Sequence, residues 1–322
     1  VEYPNTVVGK FEERFLSDPQ EALTYTMPGD QKQSGLTDQQ GKLLPSFITI
    51  SNIKSSNPES VSRGNERVIR PRFSDASFFW EQDKKHKLES RREKLKTVVF
   101  QQQLGTLFDK SSRVAKLAET IAQQLNADVA LAVRAAELGK CDLMTNMVFE
   151  FTDLQGIMGT YYARLDGEAD EVALALNEQY QPRFAGDALP LTQTGRILAL
   201  AERIDTLVGI FAIGQKPTGT KDPFSLRRSA LGVLRIIIEQ RLALDLVGLL
   251  EVAAQNLAPQ LGKTADTQEV REYIFERLRA YYQEQGINAE IVESVAALKP
   301  SQPLDFDQRV KAVSTFKHLP EA

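Results

Sequence analysis

Apolar residues recur at helical spacing through most of this chain, and this periodicity constrains the fold more than any other feature. Positions 114, 117, 118, 121, 122 and 125 are all apolar, which places them on one face of an α-helix. Stripes with similar spacing begin at Val129, Ile197, Leu231, Val270 and Ile291. Breaks rich in glycine and proline separate them. The sequence therefore predicts a mainly α protein from about residue 75 onward.

The first 75 residues have a different pattern. Short apolar runs at 22–27 and 47–53 are bounded by turn residues, which predicts strands and loops, and the polar segment 37–42 is typical of a hairpin connection. We predict an α+β module over residues 1–75, a helical domain over 76–225 and a further helical region over 226–300. A linker at 301–304 then leads into another helical unit within 301–322.

Composition excludes several classes of protein. A single cysteine, Cys141, excludes a disulfide framework within the chain and a cysteine-based zinc site. Two histidines, His86 and His318, are too few for a His-rich metal site. No apolar run approaches the roughly 18 residues of a membrane span, and no signal peptide pattern is present. We expect a cytoplasmic protein without a membrane partner.

The formal net charge of −4 does not indicate nucleic-acid binding, but basic residues are concentrated in a few segments. Segments 54–72, 81–96 and 221–241 each contain an excess of Lys and Arg over Asp and Glu. Such segments form either an RNA-facing surface or ordinary solvated helix faces. The candidate RNA-binding residues are Arg67, Arg70, Arg72, Arg227, Arg228 and Arg235; DNA is not a predicted partner.

The last of these basic segments predicts a helix of its own. Asp222 and Pro223 have the residue types of a helix cap and first position. Arg228 and Arg235 are seven residues apart, about 10 Å along a helix, which matches phosphates on an RNA backbone. The alternative for Arg227 is an internal ion pair with an acidic residue such as Asp205.

Three short segments resemble the helical HD-domain superfamily: KSSRVA at 110–115, AAEL at 135–138 and AERID at 201–205. In that family histidines and aspartates hold a metal ion that activates water. Here Lys110 stands at the position of the first histidine, Gly139-Lys140 at the His-Asp pair, and Glu202 at the last metal-binding aspartate. The resemblance implies a degenerate site with neither metal nor catalytic residues. We expect Asp205 to pair with Lys140 or Arg203.

Longer strings resemble one family along essentially the whole chain. They are VEYP (1–4), GKFEERFL (9–16), GNERV (64–68), RPR (70–72), DASFF (75–79), FQQQLGT (100–106), KCDLMTNMV (140–148), LQGIMG (154–159) and GTKDPFSLRR (219–228). Together they resemble the β subunit of the bacterial heterotetrameric glycyl-tRNA synthetase. One departure is Gln33-Ser34, where that family tends to have an aromatic residue after the Gln-Lys pair.

The resemblance implies a division of labour between two subunits. The α subunit carries the aminoacylation core and uses ATP, whereas the β subunit is a non-catalytic part of the ligase that holds glycine tRNA. It implies an HD-like domain at 76–225, the start of an anticodon-binding domain near Asp305, and no cofactor in this chain. Two alternatives remain: a structural adaptor for the α subunit without RNA contact, and an HD-type metal phosphohydrolase.

Overall fold

The computed structural model describes residues 3–27 and 33–316. The Gln-Lys pair at 31–32, His318 and the end of the predicted last unit lie outside the described residues. The strands are β1 (Asn5–Lys10), β2 (Gln33–Thr37), β3 (Leu43–Ser51), β4 (Val99–Gln101) and β5 (Gly105–Thr106). β1, β2 and β3 belong to the N-terminal part, which confirms the predicted α+β module.

Helices make up most of the remaining chain, as predicted. The helices are α1 (Gln20–Thr26), α2 (Pro58–Asp83), α3 (Leu107–Gln124), α4 (Val129–Leu138), α5 (Asn146–Glu150), α6 (Ile157–Leu165), α7 (Asp170–Glu178), α8 (Gln193–Ala212), α9 (Leu226–Glu239), α10 (Leu246–Leu261), α11 (Gln268–Glu284), α12 (Ala289–Ala296) and α13 (Pro303–Phe316). Within the described residues, none is both long and apolar enough to cross a membrane.

The N-terminal sheet is antiparallel in the order β1-β3-β2. Within the predicted hairpin connection, the backbone amide of Asp38 donates to the carbonyl of Lys42 at 2.9 Å. Gly9 lies opposite Phe47 in the register of β1 and β3. A methyl group at Gly9 would lie 2.2 Å from the Phe47 ring, so only glycine allows that ring to cover the strand.

A small core joins this sheet to α1 and α2. Its buried members include Phe11, Phe47 and Phe73, and the rings of Phe11 and Phe73 meet edge to face at 4.9 Å. Two predictions for this region were wrong. The run 22–27 lies largely in α1 instead of a strand, and α2 begins at Pro58, well before residue 75. The proposed domain boundary at 75 therefore lies inside α2, and the domain division itself stays a prediction.

The larger core is formed by the predicted stripes. α3 packs against α4, α8 and α10, and α8 packs against α7 and α9. In α3 the stripe residues Leu117 and Ile121 are fully buried, and each such side chain contributes roughly 1.5–3 kcal/mol of transfer free energy. α4 is capped by Asp128, whose carboxylate accepts from the amide of Leu131 at 3.1 Å. The helical periodicity therefore predicted the core correctly.

The end of the described chain is joined to this core. The predicted linker 301–304 is shorter than expected, because α13 already begins at Pro303. α13 contacts α9 and α12, and its Phe306 and Val310 are buried in the main cluster. The hydroxyl of Tyr282 donates to Asp307 at 3.1 Å. The segment thus packs as part of the helical body.

Candidate functional site

The degenerate HD positions meet where α3 crosses α8. A capping box fixes the start of α3: the Thr106 hydroxyl accepts from the Asp109 amide at 3.2 Å, and the Asp109 carboxylate accepts from the Thr106 amide at 2.7 Å. The next residue, Lys110, points inward and is only 2% exposed. Glu202 and Asp205 lie on neighbouring turns of α8 and face it.

Lys110 connects both carboxylates. Its Nζ lies 3.1 Å from Asp205 Oδ2 and 3.4 Å from Glu202 Oε1. It also donates to the hydroxyl of Thr206 at 2.8 Å, and it lies 4.7 Å from the ring centroid of Phe100. An ammonium group thus occupies the space between the two acids.

Two further cations complete the cluster, and they change the predicted pairing. Arg113 Nε donates to Asp205 Oδ1 at 2.8 Å, and a second guanidinium nitrogen donates to Oδ2 at 3.2 Å. Lys140 Nζ lies 3.4 Å from Glu202 Oε1. Asp205 therefore pairs with Lys110 and Arg113, and its predicted pairing with Lys140 or Arg203 was wrong. We call Lys110, Arg113, Lys140, Glu202 and Asp205 the buried ionic cluster.

Arg203 has a different role from the one predicted for it. Its guanidinium donates to the carbonyl oxygens of Gln179 at 2.9 Å, Ala199 at 3.0 Å and Pro182 at 3.2 Å. Burial lowers the pKa of Arg203 to about 10, which leaves it charged at neutral pH. It ties the segment after α7 to α8.

The cluster holds Glu202 in its ionised form. Burial opposes ionisation of this carboxyl, but the ammonium groups of Lys110 and Lys140 outweigh burial and lower its pKa to about 2. The acid is therefore a charge bridge between two lysines at any physiological pH.

Gly139, at the position of the family's histidine, lies close to Gln179. It follows α4, and its carbonyl accepts from the side-chain amide of Gln179 at 2.7 Å. A Cβ there would already lie 3.3 Å from the Gln179 side chain. A side chain at this position would therefore require Gln179 to shift by a few tenths of an ångström.

The arrangement has the donor set of an ion-pair network and lacks that of a metal centre. Among residues 3–27 and 33–316, no group of three His, Cys, Asp or Glu side chains is placed to hold a metal ion. A divalent cation between Glu202 and Asp205 would meet the charge of Lys110 at contact distance. That no metal binds here stays a prediction, and the donor set argues against the phosphohydrolase alternative.

Cys141 borders this region but is not exposed to it. It is fully buried, and burial raises the pKa of its thiol to about 12. Cys141 is therefore part of the hydrophobic core.

A second feature is a groove of about 310 Å³ between α9, α11 and the segment at 182–185. We call it the arginine groove; its lining includes Phe184, Arg227, Arg228, Arg235, Arg277 and Tyr281. It brings together all three arginines predicted on α9. Arg277 and the two aromatic residues were missed, because they lie on distant segments without a basic run to mark them.

The start of α9 differs from the prediction in detail. The helix begins at Leu226, and Pro223 lies outside it. Asp222 nevertheless acts as a cap, since its carboxylate accepts from the amides of Leu226 at 2.8 Å and Arg227 at 3.0 Å. This fixes the direction in which Arg227 and Arg228 leave the helix.

The groove arginines differ in their partners. Arg227 donates to the carbonyl of Gly219 and does not pair with Asp205. Arg235 pairs with Glu239 at 2.8 Å. Arg228 is exposed, and its side chain forms neither a hydrogen bond nor an ion pair with any other described residue. Arg228 is therefore the guanidinium most available to a ligand.

The arginines predicted on α2 lie in the N-terminal part, away from this groove. Arg70 pairs with Glu12 at 2.7 Å, and Arg72 donates to the carbonyl of Thr26 at 3.4 Å. Arg67 is exposed. None of the three lines the arginine groove, so the six candidates form two separate sets.

Comparison with known proteins identifies the family. The family model described as glycyl-tRNA synthetase beta subunit matches residues 1–297. The chain therefore belongs to the glycyl-tRNA synthetase beta subunit family. Similar proteins named glycine–tRNA ligase beta subunit come from Edwardsiella ictaluri (54% identity), Photorhabdus laumondii (56%) and Glaesserella parasuis (54%). Each match covers 100% of this chain and 47% of the relative, so the chain spans about half the length of these relatives.

Proposed function

We propose that this chain is a non-catalytic, tRNA-binding part of a glycine–tRNA ligase beta subunit. In this role it supports the ATP-dependent attachment of glycine to its tRNA by the α subunit in the cytoplasm. Family membership supports a role in the ligase and the α subunit as a partner. The chain itself binds no ATP in this proposal and has no aminoacylation activity without the α subunit.

The arginine groove is the observation that supports the proposed RNA binding. Four guanidinium groups line it, and Arg228 among them is exposed. A guanidinium fork matches the geometry of phosphate oxygens and is weakly hydrated, so it binds an RNA backbone with little desolvation. Tyr281 and Phe184 add apolar surface to the same groove, as is common where unpaired bases stack.

Removing the Arg228 side chain tests this role. We expect Arg228→Ala in the full chain to weaken glycine tRNA binding and to reduce the slope of log affinity against log salt by about 1. The melting temperature should stay unchanged, because Arg228 makes no contact that the fold needs. Filter binding over a range of salt concentrations measures both quantities.

The matched control is Arg164→Ala. Arg164 lies on α6, is half exposed and pairs with Asp170 at 2.6 Å, outside the groove. We expect its salt slope to equal that of the unmodified chain. In the enzyme that contains the α subunit, Arg228→Ala should raise KM for tRNA. An unchanged slope and an unchanged KM for Arg228→Ala would favour the adaptor that does not contact RNA.

A further inference from the structure

A cavity of about 440 Å³ opens beside the arginine groove. It lies over the buried ionic cluster, and Glu202 and Lys140 are part of its wall. Pro182 and Arg228 line both openings, so Arg228 stands on the ridge between them. The volume lies within the roughly 300–1,000 Å³ typical of small-ligand sites.

The wall of this cavity carries excess positive charge. Its cationic residues are Lys140, Arg183, Arg203 and Arg228, and its one carboxylate is Glu202. That carboxylate already bridges two ammonium groups. Arg203 donates to carbonyl oxygens and forms no ion pair with an acid among the described residues. A concave site of this kind attracts an anion.

The same wall offers an aromatic face and free polar groups. Phe224 lines the cavity, and within the described residues its ring has no aromatic or cationic neighbour in stacking contact. The side chains of Gln155, Ser225 and Ser229 also line it and make no hydrogen bond within the described part of the chain. An amide and two hydroxyls supply both donors and acceptors, which the edge of a nucleobase requires.

We propose that this cavity binds one nucleoside monophosphate unit, with the phosphate at Arg228 and the base against Phe224. A nucleotide joins an anion, a flat ring and a hydrogen-bonding edge, and the cavity wall presents a complement to each. The unit is either a free mononucleotide or an unpaired nucleotide of an RNA strand lying in the arginine groove. Binding of an RNA nucleotide rests on the proposed function, whereas binding of a free mononucleotide does not.

Titration of the full chain with AMP, GMP, CMP, UMP and inorganic phosphate tests the site. We expect at least one mononucleotide to bind saturably and more tightly than phosphate alone. Phe224→Leu and Arg228→Ala should each weaken that binding by about tenfold, the effect of one stacking or charge-assisted contact. Phe224→Tyr retains a ring and should retain binding, which separates stacking from a loss of folding. Arg164→Ala, which lies outside both the groove and the cavity, is the matched control.

Competition then separates the two sources. If glycine tRNA displaces the bound mononucleotide, the cavity takes a nucleotide of the RNA; if both bind together, it takes a free nucleotide. Arg277 lines the groove but not the cavity, so Arg277→Ala should weaken tRNA binding and leave mononucleotide binding unchanged.

Three results would overturn the inference. They are the absence of binding by all four mononucleotides up to millimolar concentration, equal affinity for inorganic phosphate, and insensitivity to both cavity substitutions. Each can occur while Arg228→Ala and Arg277→Ala still weaken tRNA binding. A failure of this inference is therefore distinguishable from a failure of the proposed function.

Discussion

Replacing Lys110 by methionine probes the buried ionic cluster most directly. Methionine preserves much of the length of the side chain but removes the charge that lies 3.1 Å from Asp205 and 3.4 Å from Glu202. Breaking a buried ion pair by removing one partner costs about 3–5 kcal/mol. We expect a loss of unfolding free energy in this range at neutral pH, measured by urea denaturation with circular dichroism.

The pH dependence of this loss gives a second, independent magnitude. In the intact cluster the pKa of Glu202 falls from 4.5 to about 2, which corresponds to roughly 3 kcal/mol. Because this pKa is depressed, the stabilisation is fully present above pH 4.5 and is lost as the pH falls toward 2. Without Lys110 the pKa of Glu202 rises, so the variant loses less unfolding free energy as the pH falls from 4.5 toward 2. The difference between the two proteins should therefore shrink at about pH 3.

Lys116→Met is the matched control, because Lys116 lies on the same helix and is exposed. We expect it to change the unfolding free energy by less than about 0.5 kcal/mol. The reasoning is refuted if Lys110→Met destabilises no more than this control. It is also refuted if Lys110→Met destabilises the chain equally at neutral pH and at about pH 3.

Two further predictions concern packing and burial. Gly9→Ala should destabilise the N-terminal sheet by about 1–3 kcal/mol, because its Cβ would overlap the Phe47 ring; hydrogen exchange of the amides in β1 and β3 measures this, and unchanged protection would contradict it. Cys141 should resist alkylation at about pH 8 in the folded chain and react after denaturation, because burial raises its pKa to about 12. Mass spectrometry after iodoacetamide treatment measures this, and rapid labelling of the native chain would contradict it.

Periodicity predicted the helical core because burial of one face determines it. The stripes of α3 and α8 required no knowledge of their neighbours. Residues 22–27 were misinterpreted because a short apolar run fits either a strand or one side of a helix. In α1, Ala22 and Leu23 are buried together, which an alternating strand would not allow.

The candidate site was predictable in membership but not in pairing. The motif resemblance identified Lys110, Lys140, Glu202 and Asp205, and all four belong to the buried ionic cluster. Which acid pairs with which base depends on the rotation of α3 against α8, and no local pattern encodes that rotation. For the same reason the arginine groove includes Arg277, whose helix is distant in sequence.

Because lysines occupy the buried ionic cluster, the contact between α3 and α8 does not depend on binding a metal ion from solution. A metal bridge between two helices must be loaded, and chelators or competing metals remove it. The ammonium group of Lys110 is part of the polypeptide and is synthesised with it. The junction of α3 with α8 is thus complete once the chain has folded. Its stability should be the same whether divalent ions are abundant or depleted.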